Sequence, residues 1–467
     1  MEKLDVRSFG AVGDGVTLDT AAIQAAIDAC ADHKATLVFT PGTYYTGTLL
    51  LKSGLHIYLE EGAMLLGSTS MDDYFAYSPF VDAVGVTRGK AMIMTYDAED
   101  VVVEGKGTIN GNGKNVVYDM DRPFLFKLEK SRKITVRGIH LEGSVCWCLH
   151  IDRCKDVKVE GVSIYNRGLE NNDGIDIDAS ENVFIDGCDI NCGDDAICLK
   201  ATSMNPCRNI HAKNCRISTN WGAFKIGTES AGDFSNIIME DSYFYDVMGG
   251  GIKIVPVDGG FVRDVIVRNI KMVNCTGPIF IANGRRNRVY LGEQNPNISG
   301  MDNILIENIQ ADVIKAPLHG FYFGEDWGEA LGGILISGIP ERKIGGITLR
   351  NLQLDLPGGF TEEKSEYNVR EMADMYPEFH RFDPVPAKGL YIRHAENIKV
   401  ENVQLTYKKD DVRAEMYMED ADGPVPSPIQ TNPEYGKILS HLPKPATDRF
   451  PPGSSVFRIG CRIFLCL

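Results

Sequence analysis

The chain has 467 residues, of which 43% are hydrophobic, and a formal net charge of −16. This excess of acidic residues argues against general binding to nucleic acids or to membrane surfaces. The first residues, MEKLDVRSFGAVGDG, lack the apolar segment of a signal peptide, and no stretch reaches the roughly 18 apolar residues of a membrane span. We therefore expect a cytoplasmic protein, or a periplasmic or secreted one if a leader has been removed.

The first predicted element is an amphipathic helix over residues 17–30, TLDTAAIQAAIDAC. Either Thr17 or Asp19 can cap its N-terminus. Four small or apolar residues fall on one helical face: Ile23, Ala26, Ile27 and Cys30. We expect this face to cover the open apolar end of the fold that follows.

Repeated segments then follow, each made of a β-type run, a turn residue and a second β-type run. Their first apolar residues recur every 23–28 residues up to residue 265, and later at longer intervals. The segments are KITVRGIHL (133–141), DVKVEGVSI (156–164), NVFIDGCDI (182–190), NIHAKNCRI (209–217), NIIMEDSYF (236–244), DVIVRNIKM (264–272), NILIENIQA (303–311), GITLRNLQL (346–354) and NIKVENVQL (397–405). Two earlier rungs are predicted in residues 54–65 and 100–109.

This period, with no helix between the strands, predicts an all-β fold: a right-handed parallel β-helix with an N-terminal capping helix. Residues 1–70 would form the cap and first rungs, residues 71–420 the remainder of one continuous domain, and residues 421–467 an irregular C-terminal arm. Cys188 and Cys215 occupy the same position in successive repeats, so we expect small apolar residues stacked in the core, without disulfides or metal.

Aligning the rungs predicts two inward ladders and an outward row. The ladders are Leu149/Ile175/Ile197/Phe224/Ile252 and Ile151/Ile177/Leu199/Ile226/Ile254, and the outward row is His150, Asp176, Cys198, Lys225 and Lys253. One position before the strands lie Trp147, Asp173, Asp195 and Gly222, with Asp194 beside Asp195. One solvent-facing surface should therefore bring three acids together with two lysines.

Carboxylates this close repel, and we expect the pKa of at least one to rise enough to hold a proton near neutral pH. A protonated acid beside an ionised one is the requirement for general acid and base catalysis. Asp178 opposite Lys200 reads instead as a surface ion pair.

The residues around the acids resemble glycoside hydrolase family 28, the polygalacturonase-like enzymes of pectin breakdown. The matching motifs are Asn171-Asn172-Asp173 for N-T-D, Gly193-Asp194-Asp195 for the D-D doublet, and Ser144–His150 for S-P-x-W-x-x-H. Two motifs depart: residues 220–227, NWGAFKIG, lack the histidine of G-H-G, and R-I-K becomes Lys253-Ile254-Val255.

The resemblance implies hydrolysis with inversion, with Asp194 as general acid and with Asp173 and Asp195 ionised to activate water. The acid and base of such enzymes are separated by about 6.5–9.5 Å. Lys253 and Lys225 would hold a uronic-acid carboxylate, although Lys225 could equally pair with an acid of the protein. The substrate would be a pectic oligosaccharide, with no metal or cofactor required.

Further residues are candidates for contact with the sugar. His150 could hydrogen-bond an acid or a sugar, or it could be an ordinary surface or structural histidine. Trp147 could stack on a sugar ring or pack beneath a loop. The loop at 280–296 carries Arg285 and Tyr290 and could close one end of the groove, as could the long inserts at 312–345 and 355–396. A blocked groove would favour cleavage from chain ends.

Three alternatives remain open from the sequence. The substrate could be a rhamnogalacturonan fragment or another glycan. The protein could also be a β-helix polysaccharide lyase or C5-epimerase, with Lys253 as base and Ca²⁺ bound by the acids. Finally, it could bind glycans without catalysis.

Overall fold

The structure, a computed structural model, describes residues 2–82, 85–116, 121–314, 332–362, 364, 366–382 and 384–422, and the backbone of 430–431. Within these residues the strands form two long sheets and one small hairpin, Val289–Tyr290 with Glu293–Gln294. The α-helices are Thr20–His33 and Phe379–Phe382, and the 3₁₀ helices are Val6–Phe9, Met71–Asp73 and Gly113–Asn115. No helix in the described part of the chain has the length and apolarity that crossing a membrane requires.

Sheet 1 contains both β-type runs of every predicted repeat, and its strands pair in parallel. Its strands are Lys3–Asp5, Asp14–Leu18, Thr36–Phe39, Gly42–Thr46, His56–Leu59, Ala63–Gly67, Glu99–Gly105, Thr108–Asn110, Arg132–Arg137, His140–Glu142, Lys155–Glu160, Ser163–Asn166, Glu181–Asp186, Asp189–Cys192, Cys207–Lys213, Arg216–Thr219, Phe234–Val247, Phe261–Cys275, Gly300–Val313, Ile347–Leu356, Lys399–Tyr407 and Gln430–Thr431.

Sheet 2 closes each rung on the opposite side, and its outer face carries the candidate site. Its strands are Leu49–Leu51, Phe75–Val81, Thr87–Tyr96, Phe124–Glu129, Leu149–Asp152, Ile175–Asp178, Ile197–Ala201, Phe224–Ser230, Ile252–Pro256, Ile279–Ala282, Ile334–Ser337, Ile344–Gly345, Ala387–Glu396 and Ala414–Asp422. Phe75–Val81 pairs antiparallel with Thr87–Tyr96, and this hairpin folds onto the outer face of the sheet. The fold is the predicted right-handed parallel β-helix.

The register of sheet 2 confirms the predicted ladders. Leu149 pairs with Ile175, Ile175 with Ile197, Ile197 with Phe224, and Phe224 with Ile252. All are buried in one continuous core between the two sheets. Because side chains alternate along a strand, this register also sends the residues between them to the outer face.

Asparagines fix the corners between sheets 2 and 1. Asn182, Asn209 and Asn236 adopt positive φ, a conformation that asparagine tolerates better than most residues. Their side chains also form a ladder: Asn236 Nδ2 donates to Asn209 Oδ1 and Asn209 Nδ2 donates to Asn182 Oδ1, each at 2.9 Å. The asparagines that open the repeats in the sequence are therefore the residues that turn the chain.

The helix Thr20–His33 caps the coil as predicted, with Ile23, Ala26, Ile27 and Cys30 buried against the first rungs. The prediction of its side-chain cap is wrong. Asp19 occupies the N-cap position, but its carboxylate accepts hydrogen bonds from the N–H groups of Val12 and Gly13, at 2.8 and 2.9 Å. The carboxylate of Asp19 therefore binds the backbone of the preceding turn and does not cap the first turn of the helix.

Cys188 and Cys215 are free and buried, which confirms the prediction of stacked core residues. Most of the predicted C-terminal arm lies outside the described residues, including the last ten, RIGCRIFLCL. The predicted insert at 312–345 also lies largely outside them, whereas the insert at 355–396 is largely described.

Candidate active site

Two loops on neighbouring rungs carry the three acids. Asp173 ends the loop that leads into strand Ile175–Asp178, and Asp194 and Asp195 lie in the loop that leads into strand Ile197–Ala201. Because each loop connects equivalent strands of successive rungs, the stacking of the coil sets one directly beside the other.

Backbone hydrogen bonds hold the two loops in register. The N–H of Gly174 donates to the carbonyl of Asp195 at 2.9 Å, and the amide of Asn166 donates to the carbonyl of Asp173 at 3.0 Å. Asn172 donates to the carbonyl of Ser144 at 2.9 Å. The positions of the acids are thus fixed by the strands and not by the acids themselves.

The three carboxyl groups come together as the alignment predicts. One oxygen from each of Asp173, Asp194 and Asp195 lies within 4.8 Å of the others. The separation of about 6.5–9.5 Å for an inverting pair describes the carboxyl groups of the acid and the base and not their nearest oxygens, so it stays a prediction.

The prediction of a surface open to solvent is also wrong. The exposed fraction is 2% for Asp173 and 3% for Asp195, while Asp194 is the most exposed at 9%. On one side Phe80 of strand Phe75–Val81 packs against Trp147, and on the other side lies the segment that contains Tyr376. The acids are not simple turn braces, however, because Oδ1 of Asp173 is buried without a hydrogen-bond partner among the described residues.

The pKa of Asp173 is raised well above its usual value, first by burial and then by the charges of Asp176 and Asp194. The sequence predicted a raised pKa within this cluster, but it assigned the proton to Asp194 and expected Asp173 to be ionised. In the folded protein the charged form of Asp173 is therefore disfavoured.

Asp176 is a fourth buried carboxyl group, on the strand that follows Asp173. Burial raises its pKa to about 8, while the Lys200 ammonium opposes the rise and Asp195 adds to it. Neither carboxylate oxygen has a hydrogen-bond partner among the described residues, although Lys200 Nζ lies 3.4 Å from Oδ1. Its nearness to the trio was visible in the outward row, but its burial was not.

Lys200 is a central cation of the site, which the sequence analysis missed. Its Nζ lies 3.9 Å from Asp173, 3.6 Å from Glu229, and 4.4 Å from the ring centre of Trp147. The predicted surface ion pair between Lys200 and Asp178 is wrong. Asp178 accepts hydrogen bonds from Thr202 instead, and Lys200 turns toward the other acids.

Lys225 binds Asp195 directly. Its Nζ donates to Asp195 Oδ2 at 2.7 Å and to the hydroxyl of Tyr376 at 2.7 Å. Burial disfavours the charge of Lys225, but Asp195 and other neighbours outweigh this effect and raise its pKa. The other oxygen of Asp195 accepts from the N–H of Gly222 at 3.1 Å. Of the two expectations for Lys225, the structure therefore supports the ion pair within the protein.

Lys253 is buried and also already paired. Its Nζ donates to Glu378 Oε2 at 2.5 Å and lies 5.2 Å from the ring centre of Trp221. His380 lies nearby, and burial together with the positive charges of Lys253 and Arg381 lowers its pKa to about 3. A neutral histidine, His380, thus lies near Lys253, whereas the repeats have no histidine at the G-H-G position.

Tyr376, Glu378 and His380 belong to residues 366–382, called here the insert, which lie between strands Ile347–Leu356 and Ala387–Glu396. The partners Lys253 and Glu378 are 125 residues apart in the chain. Repeat alignment could not find them because the insert belongs to no rung. The sole sequence signal was the unusual length of this connection.

His150 and Trp147 are buried against the hairpin. His150 Nε2 lies 3.3 Å from Asp178 Oδ2, and the Trp147 ring packs against Phe80 and Phe124. For Trp147 the structure therefore supports packing, with its other contact being the Lys200 ammonium. His150 contacts Asp178, outside the acidic trio, and is buried among aromatic rings, which favours its interpretation as a structural histidine.

The loop with Arg285 and Tyr290 does not present these side chains as predicted. Arg285 is partly exposed and pairs with Glu341 and Asp374, each at 3.2 Å. Tyr290 is buried, and its hydroxyl donates to Asp258 at 2.8 Å. Both side chains thus already have carboxylate partners within the protein, and their contact with the sugar stays a prediction.

This fold and site define a class of protein: a parallel β-helix with an acidic trio held on its outer face. Residues 66–320 match the profile of Glycosyl hydrolases family 28. The chain belongs to this family of glycoside hydrolases.

Two sequence relatives illustrate the similarity. A protein described as a probable polygalacturonase from Vitis vinifera is 27% identical over 291 residues, covering 56% of this chain and 59% of the relative. An exo-poly-alpha-D-galacturonosidase from Dickeya chrysanthemi is 24% identical over 332 residues, covering 58% and 55%. The chain thus spans less than two-thirds of the length of these relatives.

Solved structures share the fold. The family 28 exopolygalacturonase of Yersinia enterocolitica gives a TM-score of 0.69 at 18% identity, covering 92% of this chain and 79% of that one. The exopolygalacturonase of Thermotoga maritima gives 0.61 at 15% identity, covering 92% of each.

Proposed function

We propose that this protein hydrolyses glycosidic bonds of pectic oligosaccharides at the trio of Asp173, Asp194 and Asp195. The observation that carries the proposal is the meeting of three carboxyl groups within 4.8 Å, in surroundings that treat them differently. Burial raises the pKa of Asp173, and Asp195 is ion-paired to Lys225. Glycoside hydrolysis requires one protonated and one ionised carboxyl group at the scissile bond.

The surroundings support a distinct role for each acid. Asp194 is the most exposed of the three and, in its protonated form, serves as general acid to the leaving oxygen. Asp195, which accepts a hydrogen bond from the Lys225 ammonium, takes a proton from the attacking water. Burial raises the pKa of Asp173, and its Oδ1, which has no hydrogen-bond partner among the described residues, can contact the water or a sugar hydroxyl.

Inversion of the anomeric centre is part of the proposal and rests on the family resemblance. The anomeric form of the first product is therefore a sharp test of the mechanism.

Cleavage from chain ends is supported by the residues that follow Lys253 along the outer face. The equivalent positions on the next three rungs are occupied by Phe280, Leu335 and Tyr391, which are all buried. Three insert residues, Met372, Phe379 and Phe382, complete this second apolar cluster. A glycan chain could not continue along the face in this direction.

The test is incubation with a panel of defined pectic oligosaccharides, followed by proton NMR of the released sugar. We expect single units released from chain ends, with the inverted anomer appearing first. Asp194→Asn, with the fold verified by circular dichroism, should lose turnover. An unsaturated product absorbing in the ultraviolet, or loss of activity with a chelator, would favour a lyase instead. If the native protein binds glycans without turnover, and Asp194→Asn binds them equally well, the protein is a glycan-binding protein and not an enzyme.

A further inference from the structure

We propose that Glu378 makes the site selective for an uncharged sugar unit beside Lys253. The inference rests on the hydrolase activity proposed above and names the substrate class at one position. Lys253 was expected to hold a uronic-acid carboxylate, but the protein supplies that carboxylate itself. Both side chains are buried, and the Lys253 Nζ to Glu378 Oε2 distance is 2.5 Å.

Glu378 is a fixed wall of the site. The N–H of Arg381 donates to the carbonyl of Glu378 at 2.9 Å, and the adjacent Phe379 packs against Phe280 with ring centres 5.8 Å apart. Further along the insert, the N–H of Arg285 donates to the carbonyl of Ala373 at 2.6 Å. An arriving carboxylate would have to displace this anchored segment to reach Lys253.

The other lysines of the face do not offer an alternative. Lys225 is bound to Asp195 at 2.7 Å, and Lys200 lies 3.4 Å from Asp176 and 3.6 Å from Glu229. A uronate carboxylate would therefore meet cations that already have anionic partners, together with the repulsion of those partners.

The unpaired atom beside Lys253 points to a hydroxyl donor. Oε1 of Glu378 is buried without a hydrogen-bond partner among the described residues. A buried acceptor of this kind requires a donor. A neutral sugar supplies O–H donors, whereas a carboxylate brings acceptors only.

The test is calorimetric binding to Asp194→Asn, which prevents turnover. The probes are α-1,4-linked trigalacturonate and its fully methyl-esterified, uncharged form. We expect the uncharged trisaccharide to bind at least tenfold more tightly. The double variant with Glu378→Gln, which keeps the shape and removes the charge, should bind trigalacturonate at least tenfold more tightly than Asp194→Asn alone.

Equal or tighter binding of trigalacturonate to Asp194→Asn would overturn the inference, as would binding of neither probe. That comparison does not depend on the Glu378 variant folding. If Glu378→Gln folds, judged by thermal unfolding, and leaves the ratio unchanged, the inference also fails. The two proposals separate in the native protein: preferred hydrolysis of trigalacturonate refutes only the selectivity, and hydrolysis of no glycan in the panel refutes the function.

Discussion

Replacing Asp176 by asparagine should stabilise the protein, and increasingly so as the pH rises. Asp176 is fully buried, its carboxylate oxygens accept no hydrogen bond among the described residues, and burial raises its pKa to about 8. Asparagine has nearly the same shape and cannot ionise. The variant therefore removes the cost of burying a charge without leaving a cavity.

The size and sign follow from the two protonation states. Below about pH 4 this carboxyl group is protonated in both the folded and the unfolded chain, so it contributes no pH dependence. Between about pH 4 and pH 8 the unfolded chain releases the proton while the folded protein retains it, and the free energy of unfolding falls. At about 1.4 kcal/mol per pKa unit, the full cost is bounded by about 6 kcal/mol.

The assay is denaturant unfolding of the native protein and of Asp176→Asn at several pH values from 4 to 9. We expect the variant to gain at least about 2 kcal/mol at pH 8 and little at pH 4. Lys200 retains Glu229 at 3.6 Å and Asp173 at 3.9 Å after the change, which limits the loss of attraction.

Asp178→Asn is a matched control on the same strand. Asp178 is equally buried, but its oxygens accept hydrogen bonds from the N–H and hydroxyl of Thr202, at 2.8 and 2.5 Å. Its replacement should cost about 1–3 kcal/mol, because those donors lose a charged acceptor. A stability difference between Asp176→Asn and the native protein that stays flat or shrinks with rising pH would refute the reasoning.

Three further outcomes test the acidic trio, the apolar cluster beyond Lys253 and the absence of a metal requirement. Asp194→Asn and Asp195→Asn should each lower kcat by about 10²–10⁴-fold, and Asp195→Asn should also lower the melting temperature because the buried Lys225 loses its ion-pair partner; a smaller loss of kcat in steady-state assays would remove them from the acid and base roles. Phe379→Ala should lower the free energy of unfolding by about 3–5 kcal/mol. It should also add internally cleaved products to the chromatogram, because it opens the apolar cluster beyond Lys253; an unchanged product pattern would show that this cluster does not block the glycan. EDTA should leave activity intact, since Lys200 and Lys225 already neutralise the acids, and restoration of lost activity by Ca²⁺ would contradict this.

The repeats made the coil and the meeting of the acids predictable. Alternation of apolar residues fixes which side chains point inward, and a one-residue slip would turn every one of them to the other face. Asp173 and the doublet of Asp194 and Asp195 therefore had to become neighbours once the ladders were aligned. Local pattern was sufficient because each rung contacts the next in the same register.

The sequence did not reveal how this face is covered. Tyr376 and Glu378 reach Lys225 and Lys253 from 151 and 125 residues away, in a segment without periodicity. Burial by such segments reverses expectations that assume solvent: Lys253 is ion-paired with Glu378, and the pKa of Asp173 is raised.

The sequence by itself determined the coil, its register and the identity of the acidic trio, because these depend on a period that every rung repeats. The tertiary structure alone decided which carboxyl group keeps a proton and which lysines are already paired. Those properties depend on distance and on exclusion of water, and both were set here by a hairpin and an insert that lie outside the repeat.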